Sequence, residues 1–173
     1  MDERTFTLLY KSMVRPHVEF ASSVWCPYKI VDSKEIEKIQ KRATKLVIKL
    51  KNKSCIDRLI YLNLPTLKYR RLRGDMIEVF KITHNIYDRA VSPDLPLNER
   101  ANTRGNHYKL QNHTFLYDLR KNFFSARIVN IWNSLPNSVI DACTVNAFKA
   151  CLDKFWQHQS VIWWVPETNQ KKS

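Results

Sequence analysis

The stretch from Leu64 to Tyr87, LPTLKYRRLRGDMIEVFKITHNIY, constrains the fold most, because it predicts one long helix. Thr66 offers an N-cap oxygen, and no residue after it is expected to end the helix before Tyr87. At about 100° per residue, the residues of this helix separate into two sides. We expect an apolar side in the core, made of Tyr69, Leu72, Met76, Val79, Phe80, Thr83 and Tyr87. The opposite side carries Arg70, Arg71, Gly74, Glu78 and Lys81.

Gly74 needs an explanation, because a glycine inside a helix costs roughly 1 kcal/mol relative to alanine. One explanation is the close approach of another backbone, or of a phosphate, beside Arg70 and Arg71. The other is a solvated face that tolerates the glycine and is held by an Arg71–Asp75 ion pair at i,i+4. Residue types alone favour the second explanation.

Composition supports a mainly α-helical fold, a helical bundle with at most a short β-hairpin, in one or two lobes. The chain has only 2 glycines, which argues against a turn-rich β fold, and its 173 residues suffice for a real core. No apolar run reaches the roughly 20 residues that span a bilayer, and no signal segment opens the chain. We expect a nuclear or cytoplasmic protein, not a secreted one, with reduced cysteines.

The charge predicts a polyanionic partner, since the formal net charge is +13, with 29 Lys and Arg against 16 Asp and Glu. The basic residues concentrate on a helix predicted at 33–52, which Asp32 and Glu35 would start as a capping box. Its outer face would carry a lysine stripe, made of Lys34, Lys38, Lys41, Lys45 and Lys49. Its inner face would be apolar, made of Ile36, Ile39, Ala43, Leu46, Val47 and Leu50. The stripe is either a surface that follows phosphates or an ordinary solvated face.

The remaining helices are predicted from the helical spacing of their apolar residues and from their capping residues. They cover residues 4–14, Pro16 to Trp25, 55–62 after Ser54, 120–133, and 145–158 after Thr144. Residues 108–111 and 115–119 predict short extended segments. The loop at 91–106 predicts a boundary between an N-terminal lobe, 1–90, and a C-terminal lobe, 107–158, with a flexible tail at 159–173.

The residue types that a catalytic or metal-binding site would need are scattered along the sequence. No glycine-rich phosphate loop occurs, and no aspartates cluster to hold two metal ions. Cys143, Cys151 and His158 do not have the spacing of a common zinc site. We therefore expect a binding or scaffold module rather than an enzyme, with no catalytic residue, metal, cofactor or small-molecule substrate.

Five blocks together resemble the C-terminal region of reverse transcriptases from LINE-type, jockey-like non-LTR retrotransposons. They are LLYKSMVRPHVEFASSVWCPY at 8–28, EIEKIQKRATKLV at 35–47, LPTLKYRRLRGDMIEVFK at 64–81, TRGNHYKLQ at 103–111 and RKNFFSARIVNIWNSLP at 120–136. The resemblance implies a segment beyond the polymerase palm and thumb that binds template RNA or target DNA, single-stranded or hybrid. It implies no polymerase activity here, since the Y-x-D-D element is absent. The basic residues of the matched blocks would contact nucleic acid: Lys68, Arg70, Arg71, Arg73, Arg104, Arg120 and Lys121.

Two hypotheses follow from these patterns. In the first, the chain is a nucleic-acid-binding module whose lysines and arginines contact phosphates with little base specificity, and Tyr108, Trp163 or Trp164 could add stacking. In the second, it is an inert remnant or a segment that braces an upstream polymerase domain. The first predicts that the lysine stripe and the Arg70–Arg71 face form one surface. The second predicts that they are apart, with apolar side chains exposed near the N-terminus.

Overall fold

The computed structural model describes residues 1–27, 29–98, 108–112, 120 and 122–157. Within these ranges the protein is mainly α-helical and contains no β-strand beyond one isolated bridge, which confirms the predicted fold class. No helix of the described residues is long and apolar enough to cross a membrane. Contacts divide the chain into two compact units, Met1–Leu72 and Arg73–His158. This division falls inside the central helix, and the lobe boundary at 91–106 stays a prediction.

The N-terminal segment is helical, with a change of pitch before its proline. Helix α1 (Glu3–Leu9) starts at Asp2, whose carboxylate accepts a hydrogen bond from the backbone N–H of Arg4. It continues through a π-helical turn (Tyr10–Val14) into α2 (Arg15–Glu19). The predicted break before Pro16 is therefore wrong. Because Pro16 has no N–H to donate, a widened turn before it lets the helix continue.

The second predicted N-terminal helix does not run unbroken to Trp25. It is interrupted at Ala21, which has a φ of 49°, and resumes as α3 (Ser22–Trp25). A left-handed backbone at a residue with a Cβ costs about 1 kcal/mol or more, so the surrounding contacts hold this turn.

The predicted helix at 33–52 is wrong at both ends, because the observed helix α4 covers Ile30–Thr44. It begins at Ile30 with no side-chain cap, so the capping box of Asp32 and Glu35 does not form. It ends at Thr44, whose hydroxyl donates to the Lys41 carbonyl and accepts from the buried guanidinium of Arg58. A hydroxyl that bonds back to its own helix competes with the helical ladder. A short 3₁₀-helix, Ile48–Leu50, follows as a separate element.

Helix α5 (Cys55–Tyr61) begins where the sequence predicts, because the Ser54 hydroxyl accepts from the backbone N–H of Asp57. Asn63, just after the C-cap Leu62, has a φ of 49° and turns the chain out of the helix. The backbone N–H of Leu64 then reaches the Leu59 carbonyl at 2.9 Å, which is the closure of a Schellman motif. The core of the first unit contains Phe6, Tyr10, Val47, Leu50, Leu59, Leu62 and Leu64.

Helix α6 (Leu67–Thr83) is the long helix predicted between Leu64 and Tyr87. Its predicted cap forms, because the Thr66 hydroxyl accepts from the backbone N–H of Tyr69 at 3.2 Å. The helix ends earlier than predicted, at a second Schellman motif around Asn85, where the Ile86 N–H donates to the Lys81 carbonyl. The apolar side is buried as predicted at Tyr69, Met76, Val79 and Phe80, whereas Tyr87 is exposed.

The second unit packs aromatic residues around the C-terminal part of α6. Helices α7 (Phe124–Asn133), α8 (Asn137–Ile140) and α9 (Val145–Gln157) follow, and α8 was not predicted. Phe80 stacks on Phe148 with ring centroids 4.4 Å apart, and Trp132 is fully buried. The predicted extended segment at 108–111 makes one antiparallel bridge, between Leu97 and Leu110. The segment at 115–119 lies outside the described residues.

Candidate nucleic-acid interface

A basic surface of the first unit lies at the end of α4 and in the segment after it. No acidic residue occurs between Lys38 and Asp57 in the sequence. We call residues 41–53 the basic segment. All of its cations are exposed: Lys41, Arg42, Lys45, Lys49, Lys51 and Lys53.

Few acids neutralise this charge. Lys38 pairs with Glu35 one turn earlier, and Lys49 lies 3.7 Å from Glu3 while remaining 80 % exposed. No ion pair among the described residues involves the exposed cations Lys34, Lys41, Arg42, Lys45 and Lys51. Unpaired, solvated cations can contact phosphates without first breaking an internal bond.

The predicted five-lysine stripe does not follow one helix. Lys34, Lys38 and Lys41 lie on α4, whereas Lys45 follows its last residue and Lys49 belongs to the 3₁₀-helix. The predicted inner face is also wrong in part, because Ile39 and Leu46 are exposed and Gln40 and Thr44 are buried instead.

The inner side of α4 is polar where it meets the start of α6. Gln40 donates to the Pro65 carbonyl at 3.0 Å. Glu37 accepts from the backbone N–H groups of Leu67 and Lys68, at 3.3 and 2.6 Å. These N–H groups are among the four that a helix leaves unpaired at its N-terminus, so Glu37 caps α6 from a distant part of the sequence.

Arg70 is held by a carboxylate of its own chain. Its guanidinium donates two hydrogen bonds to Glu19, and Arg15 reaches the same carboxylate at 3.1 Å. A planar guanidinium and a carboxylate match each other with two parallel bonds, as they do here. Arg70 therefore has a structural role, linking α2 to α6.

Arg71 is buried, with only 4 % of its surface exposed. It donates to the Ser33 hydroxyl at 3.3 Å and lies 3.8 Å from Glu37. The Arg71–Asp75 pair considered from the sequence is replaced by these contacts. The lysine stripe and the Arg70–Arg71 face consequently do not form one exposed basic surface, since the arginines are engaged inside the first unit.

Arg73 and Asp75 belong to the second unit and make ion pairs there. Arg73 donates two hydrogen bonds to Asp153 on α9, at 2.6 and 2.8 Å. Asp75, only 2 % exposed, accepts two from Arg127 on α7, at 3.0 and 3.1 Å. Each pair joins α6 to another helix, which is a structural role for Arg73 as well.

Lys81 also has partners close to it in sequence. It donates to Glu78 at 3.0 Å and to the Tyr87 hydroxyl at 2.8 Å. Partial burial lowers the pKa of Lys81, but the hydrogen bonds to Tyr87 and Glu78 outweigh it and raise the pKa above its ordinary value. The lysine is therefore fully charged and held in place on α6.

The close approach considered for Gly74 does not occur among the described residues. A Cβ atom placed on this glycine would meet no atom within 4 Å beyond its chain neighbours and the backbone of its own helix. The second explanation from the sequence, a glycine that the helix tolerates, agrees with this open space.

The other predicted contact residues are exposed, are packed against neighbours or lie outside the described residues. Lys68 and Arg120 are exposed. Tyr108 is half-buried and packs against His84, with ring centroids 4.7 Å apart, which makes it a packing residue rather than a free stacking platform. Arg104, Lys121, Trp163 and Trp164 lie outside the residues that the structure describes.

The described residues contain a cleft but no candidate metal cluster. No three His, Cys, Asp or Glu side chains within them come together to hold a metal ion. A cleft of about 1110 Å³ in the second unit is lined by Thr83, Asn85, Arg89, Asn98 and Gln111, among others. Its arginine, Arg89, hydrogen-bonds to Asn85 at 2.8 Å.

Sequence reasoning missed the role of Glu37 and the conformation of the basic segment. Glu37 acts on a helix start that is 31 residues away in sequence, and no local pattern reports such a contact.

Comparison with models of protein families, with curated proteins and with solved structures finds no match for this chain.

Proposed function

We propose that this chain is a nucleic-acid-binding module that contacts the phosphate backbone of RNA or DNA through the basic segment. The observation that carries the proposal is the run of exposed cations from Lys41 to Lys53, with no acidic residue inside it. Lysine side chains attract phosphates as mobile point charges and read no base edges, so binding would have little sequence preference.

The resemblance in sequence supplies the biological setting of the proposal. A C-terminal region of a LINE-type reverse transcriptase, lying beyond palm and thumb, would meet template RNA or target DNA as a nuclear or cytoplasmic ribonucleoprotein. The catalytic residues of the polymerase would reside elsewhere, and this chain would bind without catalysing.

The arginines of α6 are not part of the proposed interface. Arg70 and Arg73 already hold carboxylates of this chain, and Arg71 is buried. A phosphate could reach them only by displacing Glu19 or Asp153. The proposed contacts are therefore the lysines of α4 and of the basic segment, with Arg42.

Binding of wild-type protein to fluorescently labelled single strands of two unrelated sequences tests the proposal. We expect similar affinity for both, falling steeply as salt rises, because each phosphate contact releases condensed counterion. The absence of binding at low salt, or a strong preference for one sequence, would contradict it.

A second function, the bracing of an upstream polymerase domain, is favoured by a different observation. Large apolar side chains are exposed along the N-terminal helices, at Leu8, Met13, Phe20, Val24, Ile30 and Val31. Phe20 and Val24 are 77 and 84 % exposed, on either side of the strained turn at Ala21. Exposed apolar residues in such number mark surfaces that contact another protein. The exposed apolar residues near the N-terminus are the feature of the second hypothesis that supports this function.

The bracing function can be tested with a palm and thumb fragment of a jockey-like polymerase supplied as a separate chain. We expect it to bind the wild-type protein and not a Phe20→Ser/Val24→Ser variant. Equal binding of the two proteins, or no binding of either, would remove this function. The two functions are compatible, because they use different residues.

A further inference from the structure

The basic segment carries two exposed aliphatic side chains among its cations. Leu46 is 59 % exposed and Ile48 is 75 % exposed. Lys45 precedes this pair and Lys49 follows it directly. Single apolar residues on a surface need no explanation, but two within a segment of six cations and no acid combine charge with apolar contact area.

The two side chains are held outward by their neighbours. Val47 and Leu50 are 0 and 2 % exposed and belong to the core of the first unit. The backbone N–H of Leu46 donates to the Ala43 carbonyl at 3.0 Å, and that of Leu50 donates to the Val47 carbonyl at 3.0 Å. Because the core already holds Val47 and Leu50, Leu46 and Ile48 cannot turn inward without displacing them. Binding a ligand on this surface therefore costs little backbone entropy, because the segment is already held in place.

We propose that Leu46 and Ile48 pack against unpaired bases while the neighbouring lysines hold the phosphates, so that the basic segment binds single-stranded nucleic acid in preference to regular duplex. The inference rests on the proposed function and names its substrate class. The cations select a polyanion. The aliphatic side chains gain free energy only where the ligand offers an apolar surface, and base faces are the apolar surface of a nucleic acid.

The preference for single strands follows from the cost of reaching those faces. In a duplex the bases are stacked, and an aliphatic wedge must separate them against their stacking free energy. In a single strand the faces are already accessible, so the wedge binds without that cost. Phosphate contacts alone give no preference for the single strand, because each contact releases slightly more counterion from a duplex.

A Leu46→Ser/Ile48→Ser variant tests the inference, titrated against a labelled single strand and the matching duplex at several salt concentrations. We expect roughly tenfold weaker binding to the single strand, from the loss of partly buried aliphatic area, and little change for the duplex. The salt slope should stay unchanged, because no charge is removed. Ile60→Ser is the matched control, since Ile60 is an exposed aliphatic residue outside the basic segment.

Three outcomes would overturn the inference. The first is unchanged affinity of the double variant for the single strand, and the second is an equal loss for strand and duplex. The third is tighter binding of the wild type to phosphatidylserine vesicles than to the strand, lost in the double variant, because an anionic membrane would then be the ligand. If the wild type binds no nucleic acid at all, the proposed function falls together with the inference. If it binds with a steep salt slope and the double variant equals wild type, only the inference falls.

Discussion

Glu37 caps the N-terminus of α6 by accepting a hydrogen bond from the backbone N–H of Lys68, 31 residues later in the chain, at 2.6 Å. The same carboxylate faces the buried guanidinium of Arg71. One side chain of α4 therefore serves both a helix terminus and a buried charge. Glu37 therefore supplies part of the polar contact between the two helices, beside the hydrogen bond from Arg71 to Ser33.

We predict that Glu37→Ala lowers the free energy of unfolding by about 1 to 2 kcal/mol, because a helix cap and a partner of Arg71 are lost together. Urea denaturation measures this loss. Glu35→Ala is the matched control on the same helix, because Glu35 is exposed and should change stability by no more than about 0.5 kcal/mol. Equal losses in the two variants would show that Glu37 does not act as a cap.

The pair of Asp75 and Arg127 should dominate the polar stabilisation of the second unit. We predict that Arg127→Met costs about 3 kcal/mol or more, because it leaves the charge of a buried carboxylate poorly compensated. The double variant Asp75→Asn/Arg127→Met should lose less than the sum of its single variants. Thermal unfolding of wild type, the two single variants and the double variant gives the coupling free energy between the two residues. Additive losses of stability would argue against a paired charge.

Gly74→Ala should stabilise the protein by up to about 1 kcal/mol, because alanine favours the helix and its Cβ meets no atom within 4 Å. Affinity for nucleic acid should not change, since Gly74 lies outside the basic segment. The melting temperature and a binding titration report the two quantities. A destabilised variant, or one that binds more weakly, would revive the idea of a close approach at this glycine.

Stability should fall at alkaline pH through Tyr10. Burial raises its pKa from 10.0 to about 12, and the charges of Glu19 and Glu37 add to the rise. A group with a raised pKa in the folded protein stabilises it fully below pH 10, and that stabilisation is lost as the pH rises towards 12. We predict a loss of about 2 kcal/mol over this window, which Tyr10→Phe removes. Urea denaturation at several pH values decides, and an equal loss in the variant would contradict the assignment.

Local signals in the sequence were sufficient for much of the fold. Thr66 and Ser54 were identified as caps from the residues around them, and both form the expected hydrogen bonds. Thr144 likewise accepts from the backbone N–H of Ala147 at the start of α9. The buried side of α6 followed from its period. Such features depend on residues within one or two turns, which is the range over which a pattern carries information.

The parts that failed depend on contacts distant in sequence. The early end of α4 involves Arg58, which bonds to Thr44 from α5, and the engagement of Arg70 depends on Glu19 in α2. An arginine exposed to solvent and an arginine held by a distant carboxylate occupy the same kind of position in a helical pattern, so the sequence does not distinguish them.

The turns at Asn63 and Asn85 that follow two helices carried a usable local signal, because asparagine is the usual substitute where glycine is scarce.

The salt dependence of single-strand binding, compared between two matched pairs of lysine substitutions, tests the central claim most directly. Lys41→Gln/Lys45→Gln removes two cations from the basic segment, and Lys11→Gln/Lys154→Gln removes two exposed cations elsewhere. Both variants change the net charge equally. We predict that the first pair flattens the log–log salt slope by about 1.4, or 0.7 for each lost contact on a single strand, and that the second leaves the slope unchanged. Equal slopes in the two variants, or a slope in the first equal to wild type, would contradict phosphate binding by the basic segment.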